Sequence, residues 1–228
     1  MKKRKKLAVS PLIPPKTLQL VFSLIPLVLV AVMIVFFITR AILRPEFYLI
    51  IANGSIVDGL GHKSYRADVG ISRGKIKAIG NLTKRKSVKR IDAAGLLVCP
   101  GFIDLHTHAD GNILQRPNAH NYIRQGVTTV LGGNCGSSPY PTGRFLKKVE
   151  RKKIALNFCT LVGHNTIRQK VMGNVDREPT EQEIQKMKKM VRGAMQEGAF
   201  GLSSGLKYIP GAFARTGEII ELARIAQR

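Results

Sequence analysis

Pro100-Gly101-Phe102-Ile103-Asp104-Leu105-His106-Thr107-His108 is a short apolar run that ends in two histidines one residue apart. Residues i and i+2 of a strand point to the same face, so His106 and His108 project together from its C-terminal end. Two imidazoles side by side at a strand mouth suit a divalent metal. For an isolated His-x-His, a pair of surface histidines after a buried strand is the plainer reading. Here Pro-Gly before the strand and Asn134-Cys135-Gly136 at the end of the next one favour the metal.

From Gly101 onward, strands alternate with helices, the pattern of parallel pairing. Strands are predicted over 102–105, 127–131, 156–162 and 200–203. Helices are predicted over 118–125, ended by Gly126, and over 143–153, which is strongly basic. Thr180 and Glu183 form a capping box ahead of Ile184, Met187, Val191 and Ala194 at helical spacing, with Gly198 at the stop. Met187, Met190 and Met195 read as core packing. A last amphipathic helix carries Ile219, Ile220, Leu222 and Ala223. The fold class expected is α/β, the first half of a (β/α)8 barrel over 100–228. A full barrel needs eight units and about 250 residues, whereas Gly101 to Arg228 supplies 128 residues and about four units. The chain then reads as a piece of a longer protein, the alternative being completion by a second copy.

Charge sets the N-terminus apart. Lys and Arg number 37 against 14 Asp and Glu, a net charge of +23. The first 45 residues hold eight of those bases and no acid, and residues 17–39 are 23 uncharged, mostly apolar positions. That length suits one membrane span of about 20 residues. A cleaved signal peptide would carry a shorter apolar core and a small-x-small site, which Thr39-Arg40-Ala41 is not. A buried soluble helix would show a polar face. The expectation is a basic cytoplasmic tail over 1–16, a transmembrane helix over 17–39 and an extracytoplasmic domain, because the basic cluster precedes the span. Downstream, 29 bases against 14 acids remain. They are scattered and lack aromatic interleaving, which speaks against a specific nucleic-acid partner and for a solvated surface that associates loosely with anionic lipid or wall polymer. Three cysteines are too few for a disulfide framework. Cys99 and Cys159 read as small buried hydrophobes, while Cys135 sits in a Gly-rich turn.

Four segments together resemble the amidohydrolase superfamily, and within it the D-aminoacylase (N-acyl-D-amino-acid deacylase) family. They are 100–108 with Asp110; Gln125 to Val130 through Gly133-Asn134-Cys135-Gly136; Leu161-Val162-Gly163-His164-Asn165-Thr166-Ile167-Arg168; and 198–208 with Pro210-Gly211. The Gly-Asn-Cys-Gly turn is the narrow element, since most of the superfamily bridges its metals with a carboxylated lysine. The resemblance covers residues 47–216, about the first half of such an enzyme. It implies that the strands over 46–99, with turns at Asn53-Gly54, Arg73-Gly74 and Ala94-Gly95, form a small β-sandwich ahead of the barrel.

It also implies Zn2+ as cofactor, with His106 and His108 on the looser metal and Cys135 on the tighter one and able to bridge both. The reaction implied is hydrolysis of an N-acyl-D-amino acid, with a general base and two further histidines beyond Arg228, so that residues 1–228 alone are expected to be inactive. Asp104 shares the histidines' face and reads either as an acceptor for a ligand's ring N–H or as a cap of the barrel floor; Asp110 offers the same from the mouth. His164 reads either as a structural hydrogen-bonder or, from its place after a strand, as a substrate contact. Lys207 and Tyr208 follow the fourth strand, where relatives line the side-chain pocket; Lys207 either favours an acidic substrate or faces solvent. Two other functions remain open: a cyclic-amide hydrolase, which Cys135 argues against, and a non-catalytic membrane-anchored remnant. Oligomeric state is not readable.

Overall fold

A computed structural model describes residues 15–227; the basic cluster at 2–6 and Arg228 lie outside them. The chain divides into two compact units, Met1–Cys99 and Pro100–Arg228.

The first unit opens with helix α1 (Pro15–Leu43). Side chains are described there only at Leu24, 26–37, Thr39 and Arg40. Its described Leu, Val, Ile, Met and Phe side chains are 49–70% exposed. Among the described residues, no helix is long and apolar enough to cross a membrane; of the span expected over 17–39, the side chains at 17–23, 25 and 38 lie outside that description.

Five strands follow: β1 (Phe47–Ile56), β2 (Tyr65–Ser72), β3 (Lys75–Gly80), β4 (Ser87–Asp92) and β5 (Leu97–Val98). They form one sheet in the order β3-β2-β1-β4, with β5 also on β1. Among the described residues these strands make a single sheet; a second layer of the sandwich expected over 46–99 is not among them. Phe47, Ile50, Ala52 and Leu82 make its small core.

Arg73 and Gly74, at φ 51° and 70°, make the tight β2–β3 turn, a conformation that suits Gly and matches strand twist. Asn53-Gly54 is no turn. Strand β1 runs straight through it, and its register against β2 slips between Ile51 and Gly54, which makes the pair a β-bulge. Asn53 sits at φ 63°, its N–H donating to Asp68 Oδ1 at 2.8 Å and its Nδ2 to Asp92 Oδ1 at 2.9 Å. Ala94-Gly95 does not make a hairpin either. Strands β4 and β5 both run parallel to β1, and residues 93–96 are an excursion beside the bulge, tied by Ala93 N–H to the Ala52 carbonyl and Ser55 N–H to the Leu96 carbonyl. Cys99 is exposed rather than buried.

The second unit interleaves strands and helices: β6 (Phe102–Asp104), the single-turn α2 (His120–Ile123), β7 (Val127–Gly132), α3 (Thr142–Lys152), β8 (Asn157–Thr160), β9 (Val162–Gly163), α4 (His164–Met172), α5 (Glu181–Gln196), β10 (Leu202–Ser203) and α6 (Thr216–Ala226). Strands β6, β7 and β8 are parallel in that order, as are β9 and β10. The ladders meet through Leu161 N–H on the Gly132 carbonyl, Phe200 N–H on Thr160 and Val162 N–H on Gly201. Four strand segments thus lie side by side in chain order.

The capping box at Thr180 is present from both sides. Ile184, Met187, Val191 and Ala194 of α5 pack with Ile167 of α4 and Leu222 of α6 into one core. Full burial of Met187, Val191 or Leu222 stabilises by about 1.5–3 kcal/mol each. A second core holds Val130 against Phe145 and Val149 of α3. Three details depart from expectation. The helix over 118–125 shrinks to one turn, α4 was not foreseen, and Ile220 of α6 is exposed while Glu218 is buried. Phe102, Ile103, Leu105 and Phe200 remain 59–71% exposed.

Candidate metal centre

His106 and His108 leave the end of β6 and Cys135 leaves the end of β7. Parallel pairing puts both ends at the same edge. Cys135 Sγ lies 3.3 Å from His106 Nε2, and the donor atoms of all three residues lie within 4.8 Å of one another. The two imidazole rings stand 6.0 Å apart, edge to face. All three residues are accessible, Cys135 the least so.

The loop that presents Cys135 is shaped by its glycines. Gly133, Cys135 and Gly136 adopt φ of 73°, 55° and 78°. A non-glycine residue in the left-handed region costs roughly 1–2 kcal/mol, so surrounding contacts must hold Cys135 there. Asn134, buried beside it, donates from Nδ2 to the carbonyls of Leu131 (2.8 Å) and Thr107 (3.2 Å). Thr107 stands between the two histidines, so this amide fixes the cysteine loop to the histidine segment. Asp110 adds a second tie, accepting from Gly133 N–H at 3.2 Å. Asp104 accepts from the backbone N–H of His106 at 3.1 Å, holding the chain where it turns out of β6 and making no bond to either ring.

The three expected substrate contacts separate. Lys207 and Tyr208 are exposed on the loop after β10. His164 is instead fully buried at the start of α4, its Nε2 2.7 Å from Glu218 Oε1. Glu218 also pairs with Arg168 Nη1, and Arg168 Nη2 donates to the carbonyls of Val175 and Arg177. The cluster joins α4 to α6 within the core, which a reading of His164 as a mouth residue did not anticipate: α4 begins at His164 itself and turns the ring inward.

A model of the amidohydrolase family matches residues 89–218, more than half of the chain. The chain belongs to the amidohydrolase family. This amidohydrolase is 38% identical to D-aminoacylase of Alcaligenes xylosoxydans xylosoxydans over 201 residues, 78% of this chain and 42% of that protein. Its fold matches the crystal structure of N-acyl-D-glutamate deacylase from Bordetella bronchiseptica, complexed with zinc and a phosphonate that mimics the tetrahedral intermediate. The TM-score is 0.76 at 35% identity, over 80% of this chain and 43% of that one. A structure addressing the binuclear metal centre of D-aminoacylase matches with a TM-score of 0.75 at 37% identity, over 79% and 43%. The amidohydrolase sequence therefore spans about two fifths of the length of these relatives.

The donor set fits zinc. One thiol and two imidazoles are its usual protein ligands, and the 3.3 Å Sγ–Nε2 separation is near the roughly 3.6 Å edge implied by tetrahedral zinc with ordinary Zn–S and Zn–N lengths. Sequence reading singled out His106, His108 and Cys135, which the fold brings together, but missed Asn134, whose buried amide joins their segments. Its place inside Gly-Asn-Cys-Gly was the only local signal.

Proposed function

We propose that the protein contributes the zinc-binding N-terminal part of a hydrolase that cleaves N-acyl-D-amino acids to a carboxylate and a D-amino acid. The observation that carries this is the convergence of His106, His108 and Cys135 in a chain 35–38% identical to such deacylases. Zinc, when bound, supplies Lewis-acid activation of the amide carbonyl and of water. His106, His108 and Cys135 are the residues that would hold it. Asn134 keeps the two segments in register, and Asp104 and Asp110 hold the backbone from which the donors project. Lys207, exposed after β10, offers a cation to an acidic side chain, and Tyr208 beside it a wall. The four parallel strand–helix units are read as the first half of an eight-unit barrel, with the exposed Phe102, Ile103, Leu105 and Phe200 facing the remainder. Helix α1, about 44 Å long at 29 residues and 1.5 Å rise each, is read as an uncleaved single-pass anchor with the N-terminus cytoplasmic.

The test measures zinc and stereochemistry in the gene's natural product. Zinc-dependent hydrolysis of N-acetyl-D-amino acids, with the L-enantiomers refused, is the expected result. Equal rates on both enantiomers, or full activity after metal is stripped, would end this reading. Residues 1–228 alone are expected to bind zinc without turnover, since no carboxylate joins the donor cluster among the described residues. Turnover above a His106→Ala, His108→Ala control would overturn that expectation.

A further inference from the structure

The end of strand β10 lies 70 residues from the start of the cysteine loop, yet it is the part of the chain that moulds it. Ser203, buried and paired in the parallel ladder with Gly163, accepts from the Gly136 N–H at 3.1 Å. The same hydroxyl donates to the Gly133 carbonyl at 2.5 Å. One oxygen thus closes a bracket across Asn134 and Cys135, the residues that carry the loop's tie to the histidines and its donor sulfur. Around that bracket, Gly163 and Gly205 present bare backbone to the loop. A Cβ at Gly205 would collide with the Cys135 carbonyl oxygen, and one at Gly163 with the Gly136 carbonyl oxygen. The loop is therefore seated against two bare backbone surfaces, and Ser203 is the side chain that bonds to both of its ends.

We propose that Ser203 is the positioning residue for Cys135, and that its hydroxyl sets how tightly the centre holds zinc. The proposal rests on the reading of His106, His108 and Cys135 as metal donors. Its physical basis is the left-handed backbone of Cys135, φ 55°, a conformation that reverts unless both flanking peptide groups are held. Without the hydroxyl, the Gly136 N–H and Gly133 carbonyl are buried and unpaired. The loop then relaxes and Sγ leaves the position facing His106 Nε2. Outer hydrogen-bond partners of metal ligands typically govern affinity by 10- to 100-fold, and Ser203 acts one step further out, on the ligand's backbone.

The test uses the whole chain with zinc alone, and with Co2+ as a spectroscopic stand-in. Competition with a chromophoric chelator reads affinity, and the thiolate-to-cobalt charge-transfer band reads sulfur ligation. Ser203→Ala is expected to weaken zinc binding about tenfold or more and to dim the band. Ser203→Thr, which keeps the hydroxyl, should restore both to within about threefold. The core packing control Ile167→Val should leave both unchanged, which separates positioning from a general loss of stability. Unchanged zinc affinity and band in Ser203→Ala, with Cys135→Ala abolishing them, would overturn the role of Ser203 and leave the metal site standing. A parent protein that binds no zinc and shows no thiolate band would overturn both. Should Ser203→Ala fail to fold, exchange of the Gly136 amide in the parent decides: zinc must slow it, and equal exchange with and without zinc overturns the proposal.

Discussion

Cys135 shows how a single residue combines an unfavourable backbone with a chemical task. Its φ of 55° places the sulfur against His106 and is held by hydrogen bonds on both sides. Cys135→Ala removes the thiolate donor while leaving every one of those backbone bonds intact. It is expected to abolish tight zinc binding with an unchanged circular dichroism spectrum, and elemental analysis finding zinc equal to the parent would refute the assignment. Glu183 illustrates a different balance. The hydrogen bond from the Arg177 guanidinium, then that from the Thr180 N–H, lowers its carboxyl from 4.5 to about 2. A depressed carboxylate adds stability that is complete above the unfolded value near 4.5 and lost as pH falls through about 2. Glu183→Gln, which cannot ionise, should therefore flatten the acid-side dependence of the urea midpoint between those values. A slope identical to the parent's would show that the interaction contributes nothing to folding.

At the scale of elements, α4 and α6 are joined by charge inside an otherwise apolar core. Glu218 meets both His164 and Arg168 with side chains 0–1% exposed. Burying such a cluster gains little over an apolar one, but removing a single partner strands the others. Glu218→Gln is expected to destabilise the second unit by about 3–5 kcal/mol in urea unfolding, and a loss under about 1 kcal/mol would show that water reaches the site. The elements were legible in the sequence to different degrees. Helix α5 was plain, since a capping box and a run of apolar residues at spacing three and four depend only on neighbours in the chain. Strand β1 was misread at Asn53-Gly54, because Asn-Gly at positive φ serves a two-residue turn and a bulge equally well. What separates them is whether partners lie alongside, and Asp68 and Asp92 are 15 and 39 residues away.

Across the whole molecule, the proposed anchor and barrel readings each carry a consequence. The proposed orientation of α1 makes a direct prediction. In a cysteine-free variant with one reporter cysteine after Phe47, a membrane-impermeant thiol reagent should label intact cells. Labelling only after lysis would place the folded units in the cytoplasm. The exposed Phe102, Ile103, Leu105 and Phe200 belong to the same scale, since the proposed barrel reading assigns that face to further strands.

The meeting of His106, His108 and Cys135 was legible from residues alone. His106 and His108 are two apart in a strand, and a cysteine between glycines after the next strand is unusual enough to notice. Local pattern reaches that far because strand geometry has a period of two and parallel neighbours end at one edge. The reach of Asn134 to Thr107, the Ser203 bracket, the bare backbone at Gly163 and Gly205, and the burial of His164 were all decided by tertiary packing. Each depends on which distant segments meet, and hydrogen-bond partners 27 to 70 residues apart leave no periodic trace in the sequence that connects them.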